Sequence, residues 1–205
     1  MKKYSNISDD SKKRFAELIS NAAYPTLVSI PAFILINIFF LNLYDFLIIT
    51  SICIIFAGIL PIILVLWWLK SKNGNGAEID MDIPDREERF YPLLIVITCY
   101  AVGTILLYLL SAPLITTVLM FCYFSNTLAV FFINFYWKIS IHAMGITGPV
   151  VALTYVYGSI GALFGLIIPF VMWSRLYLKE HTFSQIIMGV LLGFSFTTIQ
   201  IYFFI

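Results

Sequence analysis

The sequence predicts an all-α, polytopic transmembrane helical bundle of about seven spans, with six as the fallback and the N-terminus cytoplasmic. Three observations predict it. The chain is 61% hydrophobic and only 11% charged over 205 residues. Its mean hydropathy is +0.96. Several apolar runs are long enough to cross ~30 Å of hydrocarbon at ~1.5 Å per helical residue. That places the chain among multi-pass membrane proteins and excludes a soluble globular domain.

Residues 1–21 are polar and carry Lys2, Lys3, Lys12, Lys13 and Arg14. They are expected to form a solvated cytoplasmic segment ahead of a single transmembrane domain, 22–205. No short apolar core with a small-residue cleavage site is found there, so the first span is expected to remain in the protein. Spans one and two are read from Ala22 to Tyr44 and from Phe46 to Leu69. Residues 70–92 then form the one long polar loop, with the flexible stretch NGNG followed by EIDMDIPDREERFYP. From Leu93 to Trp137 the chain is apolar apart from the weak breaker SAP at 111–113, which gives two spans and a tight turn.

The stretch between His142 and Ser174 admits one long helix or two short ones turning at GSIG, 158–161. The choice decides the topology. Two helices put all twelve Lys and Arg on one side and leave the other with none, as the positive-inside tendency favours, and that side is then cytoplasmic. Trp67, Trp68, Trp137 and Trp173 would then share one interfacial belt. The last span runs from about Phe183 to Ile205. Cys53, Cys99 and Cys122 lie within apolar runs without metal-ligand spacing and read as packing residues.

Under this topology three polar segments converge on one face: DIPDREERFYP, WKISIH and SRLYLKEHTFSQ. They bring Arg86, Arg89, Lys138, His142, Arg175, Lys179 and His181, including both histidines of the chain. Ionisable groups at membrane depth are costly, which makes them functional candidates. A basic fringe that touches anionic headgroups would account for Lys179 or Arg86, but not for the histidines. Two imidazoles among cations suit phosphoryl transfer: one attacks phosphorus, the other protonates the leaving oxygen, and arginine's planar fork holds phosphate oxygens. Gln185 lies one helical turn beyond His181, where its carbonyl oxygen would accept the ring N–H and free the other nitrogen.

SRLYLKEHTFSQ resembles the third signature, SRxxxxxHxxxD, of the type 2 phosphatidic acid phosphatase superfamily through Ser174, Arg175 and His181. KISIH resembles the second, SGH, through Ser140 and His142. REERFYP resembles the first, KxxxxxxRP, through Arg89 alone, since Asp82 stands where the family has lysine. The resemblance implies a metal-independent lipid phosphatase without a cofactor, a phosphoric monoester or diphosphate hydrolase of the cell membrane with its site on the cytoplasmic face. In it His181 is the nucleophile, His142 the general acid, and Arg175, Arg89 and Ser140 phosphate ligands. Lys138 or Arg86 would replace the missing lysine by our reading of the residues, not by a motif match. Gln185 departs from the family's aspartate. It can fix the tautomer but cannot stabilise an imidazolium by charge, unless Glu180 helps.

The implied partners are the bilayer and a lipid bearing phosphate, a prenyl phosphate or diphosphate or a glycerolipid phosphate; no nucleic acid is expected. Two other classes remain open. Asp80, Asp82 and Asp85 resemble a Mg²⁺-diphosphate site of an intramembrane prenyltransferase, though a second acidic motif is missing. A non-catalytic lipid-binding protein would use Asn37, Asn126, Asn134 and Gln200, which fit interhelical hydrogen bonds better, as Gly145, Gly148, Gly189 and Gly193 fit close packing.

Overall fold

The computed structural model describes residues 2–73, 83 and 87–205. Among them every regular element is helical. In order these are α1 (Lys2–Ala22), α2 (Pro25–Phe40), α3 (Leu43–Cys53), a π-helical turn (Ile54–Ile59), α4 (Leu60–Asn73), a 3-10 turn (Glu87–Arg89), α5 (Phe90–Leu109), α6 (Leu114–Asn134), α7 (Ile141–Tyr157), α8 (Ser159–Ala162), a second 3-10 turn (Leu163–Leu166), α9 (Ile167–Tyr177) and α10 (Phe183–Phe204).

Five continuous helical stretches are long and apolar enough to cross a membrane, and α1 with α2 makes a sixth if that pair, bent by 59°, is one span. Their outer faces present large apolar side chains such as Ile63, Phe170 and Phe194. These are the surfaces a lipid phase would cover. The seven-span reading also needs α7, which is apolar but only 17 residues long, or ~26 Å at 1.5 Å per residue. This short helix packs against α2, α6, α9 and α10, and its residues from His142 to Pro149 are all buried.

The turn at 158–161 is present. Gly158 ends α7 with φ 60° and ψ −133°, a backbone that a side chain would strain. Gly161 then lies against the Leu153 carbonyl, where a Cβ would collide. The SAP break works without glycine: Ser111 adopts φ 53°, its N–H donates to the Tyr108 carbonyl, and the Ala112 N–H donates to the Leu107 carbonyl. That pairing is a Schellman stop.

Two expectations change. The N-terminal segment is not simply solvated, because α1 docks on α9 with Ala16 and Ser20 buried. Its sequence is amphipathic at helical spacing: Lys13, Glu17 and Arg14 lie on one exposed flank, with Lys13–Glu17 and Arg14–Asp10 ion pairs, and Phe15 and Leu18 on another. The first apolar run is also shorter than read, since Tyr24-Pro25 breaks the chain and α2 stops at Phe40. Pro25 sits in the first turn of α2, where its missing N–H costs nothing, and forces Tyr24 into an extended conformation.

The polar residues inside the bundle do tie helices together. Asn37 donates to Thr50 Oγ1 at 3.0 Å and accepts from Thr116 Oγ1 at 2.6 Å. Asn126 donates to Thr197 Oγ1 at 3.0 Å and accepts from Gln200 Nε2 at 3.3 Å. Cys53, Cys99 and Cys122 are buried free thiols. Gly189 and Gly193 let α10 close on α7: a Cβ at Gly189 would stand 2.5 Å from the Ser140 carbonyl oxygen, and one at Gly193 would stand 2.5 Å from that of Met144. Backbone cannot yield as a side-chain tip can. Gly189→Ala is therefore expected to cost about 1–3 kcal/mol, read as a lowered midpoint of thermal unfolding in detergent.

Candidate functional site

The ends of α4, α6 and α9 meet the beginnings of α5, α7 and α10 at one end of the bundle. Lys72 reaches Glu88 at 2.6 Å across the loop. The Ser140 N–H donates to the Gln185 carbonyl at 3.2 Å, joining the start of α7 to the start of α10. Trp67, Trp68, Trp137 and Trp173 lie near this end, and so do Lys70, Lys72, Arg89, Lys138, Arg175 and Lys179. The opposite turns, around 41–45, 110–113 and 158, carry Asp45 and no Lys or Arg.

A cavity of about 120 Å³ opens here. Arg89, His142 and His181 line it together with Tyr24, Pro25 and Thr26 from the α1–α2 bend, Pro61, Ile62 and Val65 from α4, Leu93, Val96 and Tyr100 from α5, and Thr127 from α6. From Arg89 to Tyr100 is eleven residues of one helical stretch, a depth of roughly 16 Å. The cavity is thus polar at its mouth and largely apolar below. The π-helical turn just before Pro61 has a local cause, because a proline ring collides with the carbonyl four residues back and a wider turn relieves it.

Each sequence-predicted site residue except Arg86 has a definite place. His181 is 7% exposed, and its Nδ1 lies 3.1 Å from Gln185 Oε1. That same oxygen accepts the Thr182 backbone N–H at 3.1 Å in a capping box that starts α10. A backbone N–H can only donate, so the Gln185 atom is the carbonyl oxygen and His181 Nδ1 carries the proton. Nε2 keeps its lone pair. Gln185 Oε1 thus stands where it can accept the His181 Nδ1–H, and it is held in place by its own helix cap.

Burial, foremost, and then the positive charges of Arg175, Arg89 and Lys138 push His181 from 6.5 down to about 3, against a small upward pull from Gln185. The ring is neutral at physiological pH. Between those two values the unfolded chain binds a proton that the folded protein refuses, so this group's contribution to stability is intact above about 6.5 and is lost as pH falls toward 3. A His181→Gln variant is expected to flatten that part of a melting-temperature profile. Selectively labelled histidine should show His181 still neutral at about pH 5, well below the usual imidazole range.

His142, 5% exposed, packs against Tyr24 with ring centroids 4.6 Å apart and ring planes tilted by 56°. Ser140 caps α7, its Oγ accepting from the Ala143 N–H at 3.4 Å, and is fully buried. Arg89 is 6% exposed, with Nε donating to the Ile83 carbonyl at 2.7 Å. Lys138 is half-buried. Arg86 lies outside the described residues, as do Asp80, Asp82 and Asp85. Among the described residues no group of three His, Cys, Asp or Glu is gathered as a metal site would need.

Arg175 is completely buried and does not line the cavity. Its Nη1 donates to Ser20 Oγ at 2.5 Å and its Nη2 lies 3.9 Å from Glu180 Oε2. Ser174 donates to the Ala16 carbonyl at 2.7 Å. The α9 terminus explains the arrangement: Lys179 takes φ 59°, its N–H donates to the Leu176 carbonyl, and the Glu180 N–H donates to that of Arg175. This Schellman turn folds Glu180 back toward Arg175 and delivers His181 to the cavity. Sequence reasoning missed Ser20 and Tyr24. The signal for Tyr24 was the Tyr-Pro junction between a polar amphipathic stretch and an apolar one.

No family model, curated protein or solved structure matches this chain.

Proposed function

We propose that the chain is an integral membrane phosphatase acting on a lipid that bears a phosphate monoester or diphosphate, through a phosphohistidine on His181. The observation that carries this reading is the joint position of His181, His142 and Arg89 at the mouth of a cavity whose walls are largely apolar. The resemblance to the type 2 phosphatidic acid phosphatase superfamily supports it independently through Ser174, Arg175, His181, Ser140 and His142.

In this reading His181 Nε2, neutral and unprotonated, attacks phosphorus, and the bond from phosphorus to the lipid oxygen breaks. His142 gives its proton to that leaving oxygen. A water then attacks the phosphohistidine, His142 takes its proton, the phosphorus–nitrogen bond breaks, and phosphate leaves with the enzyme restored. Arg89 faces the phosphate directly. Arg175 acts from behind the cavity wall through its charge, and Lys138 adds a further positive charge. A bound phosphate offsets the cations that depress His181, so an imidazolium-like phosphohistidine costs less with substrate present than the free ring's proton affinity suggests.

In this reading the end that carries the basic residues and tryptophans faces the cytoplasm, in a seven-span bundle of the cell membrane, and the positive-inside tendency supports that orientation. The substrate chain then comes in laterally from the bilayer. The test is release of inorganic phosphate by the purified protein in EDTA over prenyl phosphates, prenyl diphosphates and glycerolipid phosphates. Silence on all of them overturns the reading.

A further inference from the structure

The cavity beneath the histidines is not apolar throughout. Thr26 and Tyr100 line it and are 8% and 1% exposed. Among the described residues neither hydroxyl has a hydrogen-bond partner. Tyr123 places its ring 5.3 Å from that of Tyr100, and its buried hydroxyl is also unpartnered. Three helices, α2, α5 and α6, thus bring unsatisfied hydroxyls into one region of the bundle. Where helices meet directly, Asn37 and Asn126 find partners.

Leaving a buried hydroxyl unsatisfied costs about 1–3 kcal/mol, while valine or phenylalanine would fill nearly the same space at no such cost. A purely hydrocarbon occupant would leave the cost in place. An occupant that carries its own oxygen would remove it.

We infer that Thr26 and Tyr100 form a hydrogen-bonding subsite with two points at different depths, each able to take a hydroxyl or carbonyl oxygen carried on the chain of the amphiphile whose phosphate meets Arg89 and the histidines. The inference deepens the phosphatase reading and rests on it for the phosphate end. The geometry sets where that oxygen lies. Thr26 is two residues beyond Tyr24, whose ring packs against His142, so it sits just below the mouth. Tyr100 is roughly 16 Å below Arg89 along the helix. The subsite therefore spans the upper and middle part of the chain, and it selects among lipid phosphates by what their chains carry.

The experiment uses the full-length His181→Ala protein in phosphatidylcholine nanodiscs, so that no turnover intervenes. Binding is measured for three probes of equal chain length: an alkyl phosphate, its ω-hydroxyalkyl counterpart, and the α,ω-diol that lacks phosphate. The hydroxyalkyl phosphate is expected to bind about tenfold more tightly than the plain one, as one gained hydrogen bond implies. Tyr100→Phe should erase that preference while leaving the plain alkyl phosphate unchanged, with Thr26→Val doing the same for a hydroxyl placed nearer the phosphate. Equal affinity for the two phosphates overturns the subsite and leaves water as the partner of these hydroxyls. Equal weakening of both phosphates by Tyr100→Phe also overturns it. Hydroxyl-dependent binding of the diol, with no gain from phosphate, sinks the phosphatase reading and keeps the subsite.

Discussion

Replacing His181 with alanine is expected to lower EDTA-resistant phosphate release by at least about 10³-fold, the scale on which nucleophile deletions act. Nothing else described can take its place: His142 is the chain's only other imidazole and packs against the Tyr24 ring. The loss should fall on kcat with little change in KM, since Arg89, Arg175 and Lys138 still attract the phosphate. Wild-type protein should form an acid-labile, base-stable phosphoenzyme during turnover, and the alanine variant should not. A prenyltransferase predicts the opposite pattern, with activity lost in EDTA, sensitivity at Asp82 and indifference at His181. Retention of full activity by His181→Ala would sink the phosphohistidine mechanism.

Much of this arrangement was legible in the sequence because it depends on local chemistry. The spacing of His181 and Gln185 is one helical turn, and their 3.1 Å contact is what that spacing dictates. The SAP break marked the α5–α6 turn, and at GSIG, where one long helix or two short ones were open, the one-sided distribution of Lys and Arg favoured the turn that Gly158 makes. The role of α1 could not. A polar stretch of Lys, Asp and Ser looks solvated until its buried face, Ala16 and Ser20, is matched against the groove beside α9. That match depends on Ser174 and Arg175, some 155 residues away along the chain. The shortness of α2 was hidden for a related reason: Leu41 to Tyr44 interrupts the apolar run with Asn42 alone, whose side chain, accepting from the Tyr44 and Asp45 N–H groups, starts a new helix there.

Arg175→Ala is expected to unfold the site as well as weaken catalysis. Its guanidinium is fully buried, pairs with Glu180 and binds Ser20 Oγ, so that with the bond from Ser174 to the Ala16 carbonyl it fastens α1 to α9. Deleting one partner of a buried polar cluster typically costs about 3–5 kcal/mol, with Glu180's partial exposure placing this one toward the lower end. In a detergent melt that is a drop of several degrees. The second effect is electrostatic and separable. Arg175 is the largest of the charges that depress His181, after burial itself, so its removal should raise the pH at which His181 takes up a proton, and the acid limb of the activity profile should move up with it. Arg175→Lys distinguishes the two roles. A lysine keeps the positive charge and so holds His181 low, but it lacks the fork that reaches Ser20 and Glu180 together. It should therefore lose stability while keeping the histidine's titration near its original position. An Arg175→Ala protein that melts normally, with His181 titrating where it does in the parent, would mean that neither the clamp nor the field acts as the geometry implies.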